Sequence, residues 1–175
     1  MNRLLNTISK KQLKKVSDDG SLGREMVPLT ECKSIGIVYN AKKHSKEVEA
    51  FGNWLRDNGV KVFTMGFVDD KELGHDFTPN YKKEYFCRKN LDRWRLPKKE
   101  AVNRFLLEKF DYMIGVFEDA EIPLMAISAQ SKAKFRIGPY HPDFIHCFDM
   151  LLQVGDNELD DYIRTVKNYL TSYGK

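Results

Sequence analysis

Apolar residues recur along this chain in two rhythms, short unbroken runs and stripes at helical spacing, and the two alternate over most of its length. Ser34-Ile35-Gly36-Ile37-Val38-Tyr39 is a mostly apolar, β-branched run, as expected of a strand buried on both faces. A helix follows in which Val48, Phe51 and Leu55 share one face. Ser45 is its expected cap, Glu47 and Glu49 lie near its positive end, and Asn58-Gly59 ends it. Val60-Lys61-Val62-Phe63-Thr64-Met65 is the next strand and completes a βαβ unit, whose crossover should be right-handed. From Gly66 to Leu96 the pattern weakens, with Gly74, Pro79 and Asn80 marking irregular backbone before a short strand at Glu84–Cys87. Pro97 opens a helix that runs to about Lys109, with Ala101, Phe105 and Leu106 on one face. Tyr112–Phe117 is another buried strand, Pro123–Ala129 a helix, and Phe135–Gly138 and Met150–Val154 short strands. Asp156 or Asn157 then caps a last helix whose apolar face is Leu159, Tyr162, Ile163, Val166 and Leu170. Strands alternating with helices predict an α/β fold, a three-layer sandwich around a mainly parallel sheet.

Ahead of this alternation, residues 1–18 read as a basic amphipathic helix: Leu5, Ile8, Leu13 and Val16 gather on one side, Arg3, Lys10, Lys11, Lys14 and Lys15 on the other. Residues 19–32, with Gly20, Gly23 and Pro28, read as a linker, so the folded unit is expected to be one domain over 33–175. A hydrophobic content of 42% supports a real core and excludes global disorder. Three cysteines at unrelated spacings exclude a disulfide scaffold and suggest a reducing compartment. No apolar run approaches the roughly 20 residues of a membrane-spanning helix, and the basic N-terminus lacks a signal-peptide core. The expected address is the cytoplasm, and a membrane is not an expected partner.

Catalytic signatures are missing. The first strand is followed by Asn40-Ala41-Lys42-Lys43-His44 where a dinucleotide site would place G-x-G-x-x-G. P-loop, G-x-S-x-G and H-E-x-x-H motifs are absent too. Asp69-Asp70 follows the second strand, where it reads as a solvated acidic loop. His141 and His146-Cys147 match no common zinc spacing, so neither metal nor cofactor is expected. The candidate ligand site is geometric. In a doubly wound sheet, small molecules bind beyond the carboxyl ends of the strands where strand order reverses. That crevice would be lined by Asn40, Lys42 and His44 from one loop and Glu118, Asp119 and Glu121 from the other. Lys42 would hold an anionic nucleotide or sugar phosphate, and His44 facing carboxylates would be a general base. The alternative is that these are the ordinary polar loops of such a fold.

Net charge is only +4, but it is segregated. Arg88, Lys89, Arg93 and Arg95 lie in a cation-rich middle segment with Trp94 among them, while Glu158, Asp160 and Asp161 begin the last helix. Cations contact phosphates and exposed aromatics stack on unpaired bases. Together with Lys10, Lys11, Lys14 and Lys15, this gives two basic surfaces suited to RNA, an RNA-containing assembly or another acidic partner. The competing reading is a solvated cationic face over core aromatics, with the leading helix docking on a protein partner or on the domain itself.

Phe110-Asp111-Tyr112-Met113-Ile114-Gly115, followed after a helix by Ser131-Lys132-Ala133-Lys134-Phe135-Arg136-Ile137-Gly138, resembles an uncharacterised family of small bacterial proteins described as a domain of unknown function. The resemblance covers most of the chain after Lys33. More weakly, the chain is similar to the N-terminal Rossmann-like half of heptosyltransferase-type glycosyltransferases. That similarity implies a Rossmann-like domain. It does not extend to enzymatic activity, because the donor of those enzymes sits largely in a second domain and the loop at 40–44 lacks the expected acidic base. The combined expectation is a Rossmann-like α/β domain with a basic helical arm, acting by binding rather than by catalysis.

Overall fold

The computed structural model describes residues 3–16, 23–155 and 159–174, with the backbone alone over 3–6. The expected cap at Asp156 or Asn157, the first part of the expected linker and the Leu5 side chain lie outside the described residues. The elements are α1 (Arg3–Val16), β1 (Ser34–Asn40), α2 (Ala41–Asp57), β2 (Lys61–Val68), β3 (Lys83–Cys87), α3 (Lys99–Leu107), β4 (Tyr112–Val116), α4 (Ile122–Gln130), β5 (Phe135–Pro139), β6 (Met150–Leu152) and α5 (Leu159–Ser172). Short 3-10 turns cover Arg88–Asn90 and Pro142–Cys147. All six strands are parallel, in the order β3-β2-β1-β4-β5-β6.

Alternation along the buried strands divides the core in two. Ile35, Ile37 and Tyr39 of β1 pack with Val48, Phe51 and Leu55 of α2 and with Tyr162, Val166 and Leu170 of α5. Val38, Met65 and Phe67 face the other way, into a cluster with Phe105 of α3 and Leu124 and Met125 of α4. The order reverses between β1 and β4, so the sheet is doubly wound.

Helix α4 is apolar on every side, and Ile122–Ala129 are all buried. Such a helix must be covered on every side. The sheet covers its inner face and α1 its outer one, with Leu13 and Ser9 fully enclosed. Lys10 pairs with Asp143, its ammonium 5.6 Å from the Phe144 ring centre. The leading helix is therefore an outer layer of the fold rather than a detached arm. From Gly23 onward the expected linker is also tied down. Leu29 and Cys32 are buried, and the Tyr112 hydroxyl accepts from the Val27 amide (2.9 Å) and donates to its carbonyl (2.5 Å).

Helix α2 starts directly out of β1, with Asn40 rather than Ser45 as its cap: Asn40 Oδ1 accepts from the Lys42 and Lys43 amides at 3.1 and 3.2 Å. Ser45 lies inside the helix and donates to the Ala41 carbonyl, just beyond a kink at His44. Gly59, at φ 81°, supplies the left-handed residue after the helix end.

The two stretches that carry the family resemblance lock onto each other. Asp111 Oδ2 accepts from the Lys33 and Ser34 amides (2.6 and 3.1 Å), and Oδ1 meets Lys134 Nζ at 2.8 Å. Burial alone would raise the Asp111 carboxyl, but the Lys134 ammonium and the two amides together hold it below its ordinary value. Arg136, also buried, makes a two-pronged pair with Asp149 (2.9 and 3.1 Å) and donates to the Ala129 carbonyl (3.1 Å).

Candidate functional site

Parallel strands deliver their carboxyl ends to one edge of the sheet, and at the β1/β4 reversal five of the expected crevice residues converge, Glu121 among them. Asn40 ends β1, His44 is buried one turn into α2, and Glu118 and Asp119 follow β4. Desolvation lowers the His44 imidazole below its ordinary value, opposed by the carboxylates of Glu118, Glu47 and Asp119. The crevice is spanned by the protein's own groups. Asn40 Nδ2 donates to Glu121 Oε1 (2.7 Å), joining the two strand ends, and Lys43 Nζ meets Asp119 at 2.7 Å. Burial raises the Glu121 carboxyl, which the Asn40 amide partly offsets. Lys42 turns away to Asp70 on the far side (2.6 Å) and does not join this cluster. With the helix N-terminus capped by Asn40 and carboxylates lining the mouth, the electrostatics disfavour the anion expected there. Glu121 was expected in the lining, but its pairing with Asn40 and the role of Lys43 had no local signal, because the partners lie far apart in sequence.

The cationic middle segment is built on a tight turn. Asp92 Oδ1 accepts from the Trp94 and Leu96 amides (2.8 and 3.0 Å), and the Asp92 amide donates to the Leu96 carbonyl (2.9 Å). Arg95 sits in this turn at φ 64°, a conformation that favours glycine. Arg93 lies over the Trp94 ring, 4.8 Å from its centre, and Trp94 is half-buried against the α3/α4 core. Arg88 pairs with Asp69 (2.7 Å) and Lys89 approaches Glu72 (4.0 Å), so the acidic loop after β2 neutralises part of the basic segment. The Val16 end of α1 meets this region, sharing with Asp92, Leu96, Pro97 and Val102 a groove of about 450 Å³ that Lys99 and Lys132 also line. Lys11, Lys14 and Lys15 are exposed on α1. The C-terminal end of α1 thus lies beside the 92–97 turn.

Cys32, Cys87 and Cys147 are free and buried, and burial pushes the Cys32 and Cys147 thiols up to about 12, so neither is a thiolate at neutral pH. His141 Nδ1 accepts from the Asp143 amide, capping the turn at Pro142–Cys147. Among the described residues no group of three or more His, Cys, Asp or Glu is arranged to hold a metal ion, and no helix is long and apolar enough to cross a membrane.

A second cavity, of about 440 Å³, had not been expected. It lies between α2, β2 and residues 80–83, lined by Tyr39, Ser45, Thr64, Arg56, Lys82 and Lys83 among others. Its one sequence signal is the missing helical pattern between Gly66 and Asn80, where a crossover helix would otherwise cover the sheet.

Six parallel strands in 3-2-1-4-5-6 order, with helices on both faces and a polar crevice at the reversal, define a Rossmann-like α/β domain. The sequence profile of DUF6913, described as a family of unknown function, matches residues 2–172, and the chain belongs to that family. The matched span includes α1, in keeping with its packing on α4. No curated protein and no solved structure matches the chain.

Proposed function

We propose that the protein is a cytoplasmic, non-catalytic binding module whose partner is an RNA or an RNA-containing assembly. Contact would run from Lys11, Lys14 and Lys15 of α1, with Lys10 at the edge, to Arg88, Lys89, Arg93, Trp94 and Arg95. The carrying observation is that Val16, at the end of α1, and Asp92, Leu96 and Pro97 of the turn line one groove, which supports a contact shared by basic segments some eighty positions apart in sequence. The turn adds support, since it holds a non-glycine residue in a left-handed conformation to present Arg93 and Arg95. The pairs of Arg88 and Lys89 are exposed, and such pairs contribute only about 0–1 kcal/mol, so phosphates can replace their acidic partners. Free, buried thiols suit a reducing compartment.

Anisotropy of a labelled single-stranded RNA, titrated at several salt concentrations, tests this. Affinity should fall with a log–log slope of about −0.7 per phosphate contacted. Arg93→Glu, and Lys11→Glu with Lys14→Glu and Lys15→Glu together, should each weaken binding at least about tenfold, roughly the 1.4 kcal/mol of one lost charge-assisted contact. No binding at low salt would overturn the reading; binding of a polyglutamate peptide in place of RNA would assign the surface to an acidic protein.

A further inference from the structure

We propose that the cavity between α2, β2 and residues 80–83 is a binding site for a small organic anion, a phosphate ester or carboxylate on a hydroxylated body. It is separate from the basic face described above. In a doubly wound sheet the crossover from β2 to β3 normally lays a helix beside α2. Here residues 69–82 are irregular, and their Leu73 and Phe77 reach the core as partly buried side chains, Phe77 against the Tyr85 ring. Strand β3 joins β2 only from Thr64 onward, so the first half of β2 is left without a neighbour on that side. The space that remains, about 440 Å³, falls in the range of small-molecule sites, roughly 300–1,000 Å³.

The lining has the character of a built site. Thr64 points to the same face as Val62, is 6% exposed, and its hydroxyl, beside the Tyr39 phenol, makes no hydrogen bond of good geometry. Buried hydroxyls nearly always make well-formed hydrogen bonds, and this one borders an open cavity where a ligand group can complete its bonding. The Tyr39 phenol interacts with Tyr85, Thr64 and Ser45, placing further hydroxyls at the floor beside Val48 and Val62. Three cations, Arg56, Lys82 and Lys83, face one carboxylate, Glu49. Lys83 and Arg56 both bond to Glu49 (2.5 and 3.3 Å), and Lys82 stands exposed. Gly52, inside α2, also lines the cavity, and a Cβ there would come within 3.3 Å of the Arg56 guanidinium. An anionic head at the three cations and a hydroxylated body over Thr64 and Tyr39 would satisfy both features.

Thermal shift and calorimetry on the full chain test this with AMP, UMP, glucose 6-phosphate, ribose 5-phosphate, citrate and gluconate, and with inorganic phosphate alone. At least one organic anion should give a saturable rise in Tm, and the ester and carboxylate arms identify the head group. Lys82→Ala, an exposed position, should weaken its Kd at least tenfold. Thr64→Val, which keeps the shape and removes the hydroxyl that faces the cavity, should weaken it at least threefold without lowering the ligand-free Tm. RNA affinity should be unchanged by Thr64→Val, which separates this site from the basic face. The proposal is overturned if none of the organic anions stabilises the protein, if inorganic phosphate acts as strongly as its esters, or if the effect survives both variants.

Discussion

Asp149→Ala isolates the interaction that fastens β5 to the end of the sheet. Asp149 accepts from the Arg136 backbone amide (2.8 Å), Nε (3.1 Å) and Nη2 (2.9 Å), and Arg24 Nε lies 3.5 Å away. Removing the carboxylate leaves the Arg136 guanidinium, whose side chain is 6% exposed, with the Ala129 carbonyl as its remaining hydrogen-bond acceptor. Stranding one member of a buried pair costs about 3–5 kcal/mol. Asp149 itself is 14% exposed, so water can reach part of the vacated space, and about 3 kcal/mol is the appropriate expectation. For a chain of this size that corresponds to a fall in Tm of about 6–12 °C. Urea unfolding followed by circular dichroism reads the loss directly, as a lower midpoint at unchanged slope. The double variant Arg136→Met/Asp149→Leu should recover to within about 1 kcal/mol of the parent, since it strands no charge. A loss below about 1 kcal/mol for Asp149→Ala, or a double variant worse than the single one, would refute the reasoning.

Three further outcomes follow from packing and protonation. Gly138→Ala would place a Cβ 2.2 Å from the Phe148 ring, so it should cost about 1–3 kcal/mol in urea unfolding, and Phe148→Leu should relieve part of that loss. Leu13→Ala should cost about 2–4 kcal/mol if α1 is a layer of the fold, whereas a detached arm would show no change. Desolvation lowers the His44 imidazole in the folded protein, so below its ordinary value of about 6.5 the unfolded chain takes up a proton that the folded one refuses. Stability from this group is full above about pH 6.5 and is lost as pH falls toward the lowered folded value. Glu121, whose carboxyl is raised by burial, contributes with the opposite sign, so the diagnostic is that His44→Asn flattens the decline between pH 7 and 5.5 relative to the parent.

The strands were legible because a strand buried on both faces must be continuously apolar, and Ser34–Tyr39 and Tyr112–Phe117 are. Their doubly wound order gave the crevice its location as well. How its lining residues pair was not legible, because Asn40–Glu121 and Lys43–Asp119 join residues distant in sequence. Asn40 and Ser45 are both good caps by type, and only the strand's direct run into the helix decides between them. Gly66, where the pattern weakens just past the expected strand, lies inside β2: a Cβ there would strike the Tyr85 ring at 2.7 Å, so the glycine reflects close packing. The resemblance motifs were legible as sequence but not as roles. Asp111, Lys134 and Arg136 hold strands together, which explains why a recognisable motif marks a fold here rather than a chemistry.

Helix α5 crosses back over the middle of the sheet, sealing Ile35, Ile37, Ile114 and Val116 with Tyr162, Val166 and Leu170, and its Tyr162 hydroxyl donates to the Gly115 carbonyl at 2.7 Å. The two central strands are thus closed on that side by the described element that leaves the ribosome last. While the chain is being made, a β1-α2-β2 unit can gather early, but β4 emerges with one face uncovered and stays so until α5 arrives. The nascent protein therefore carries a half-built sheet between the emergence of β4 and that of α5.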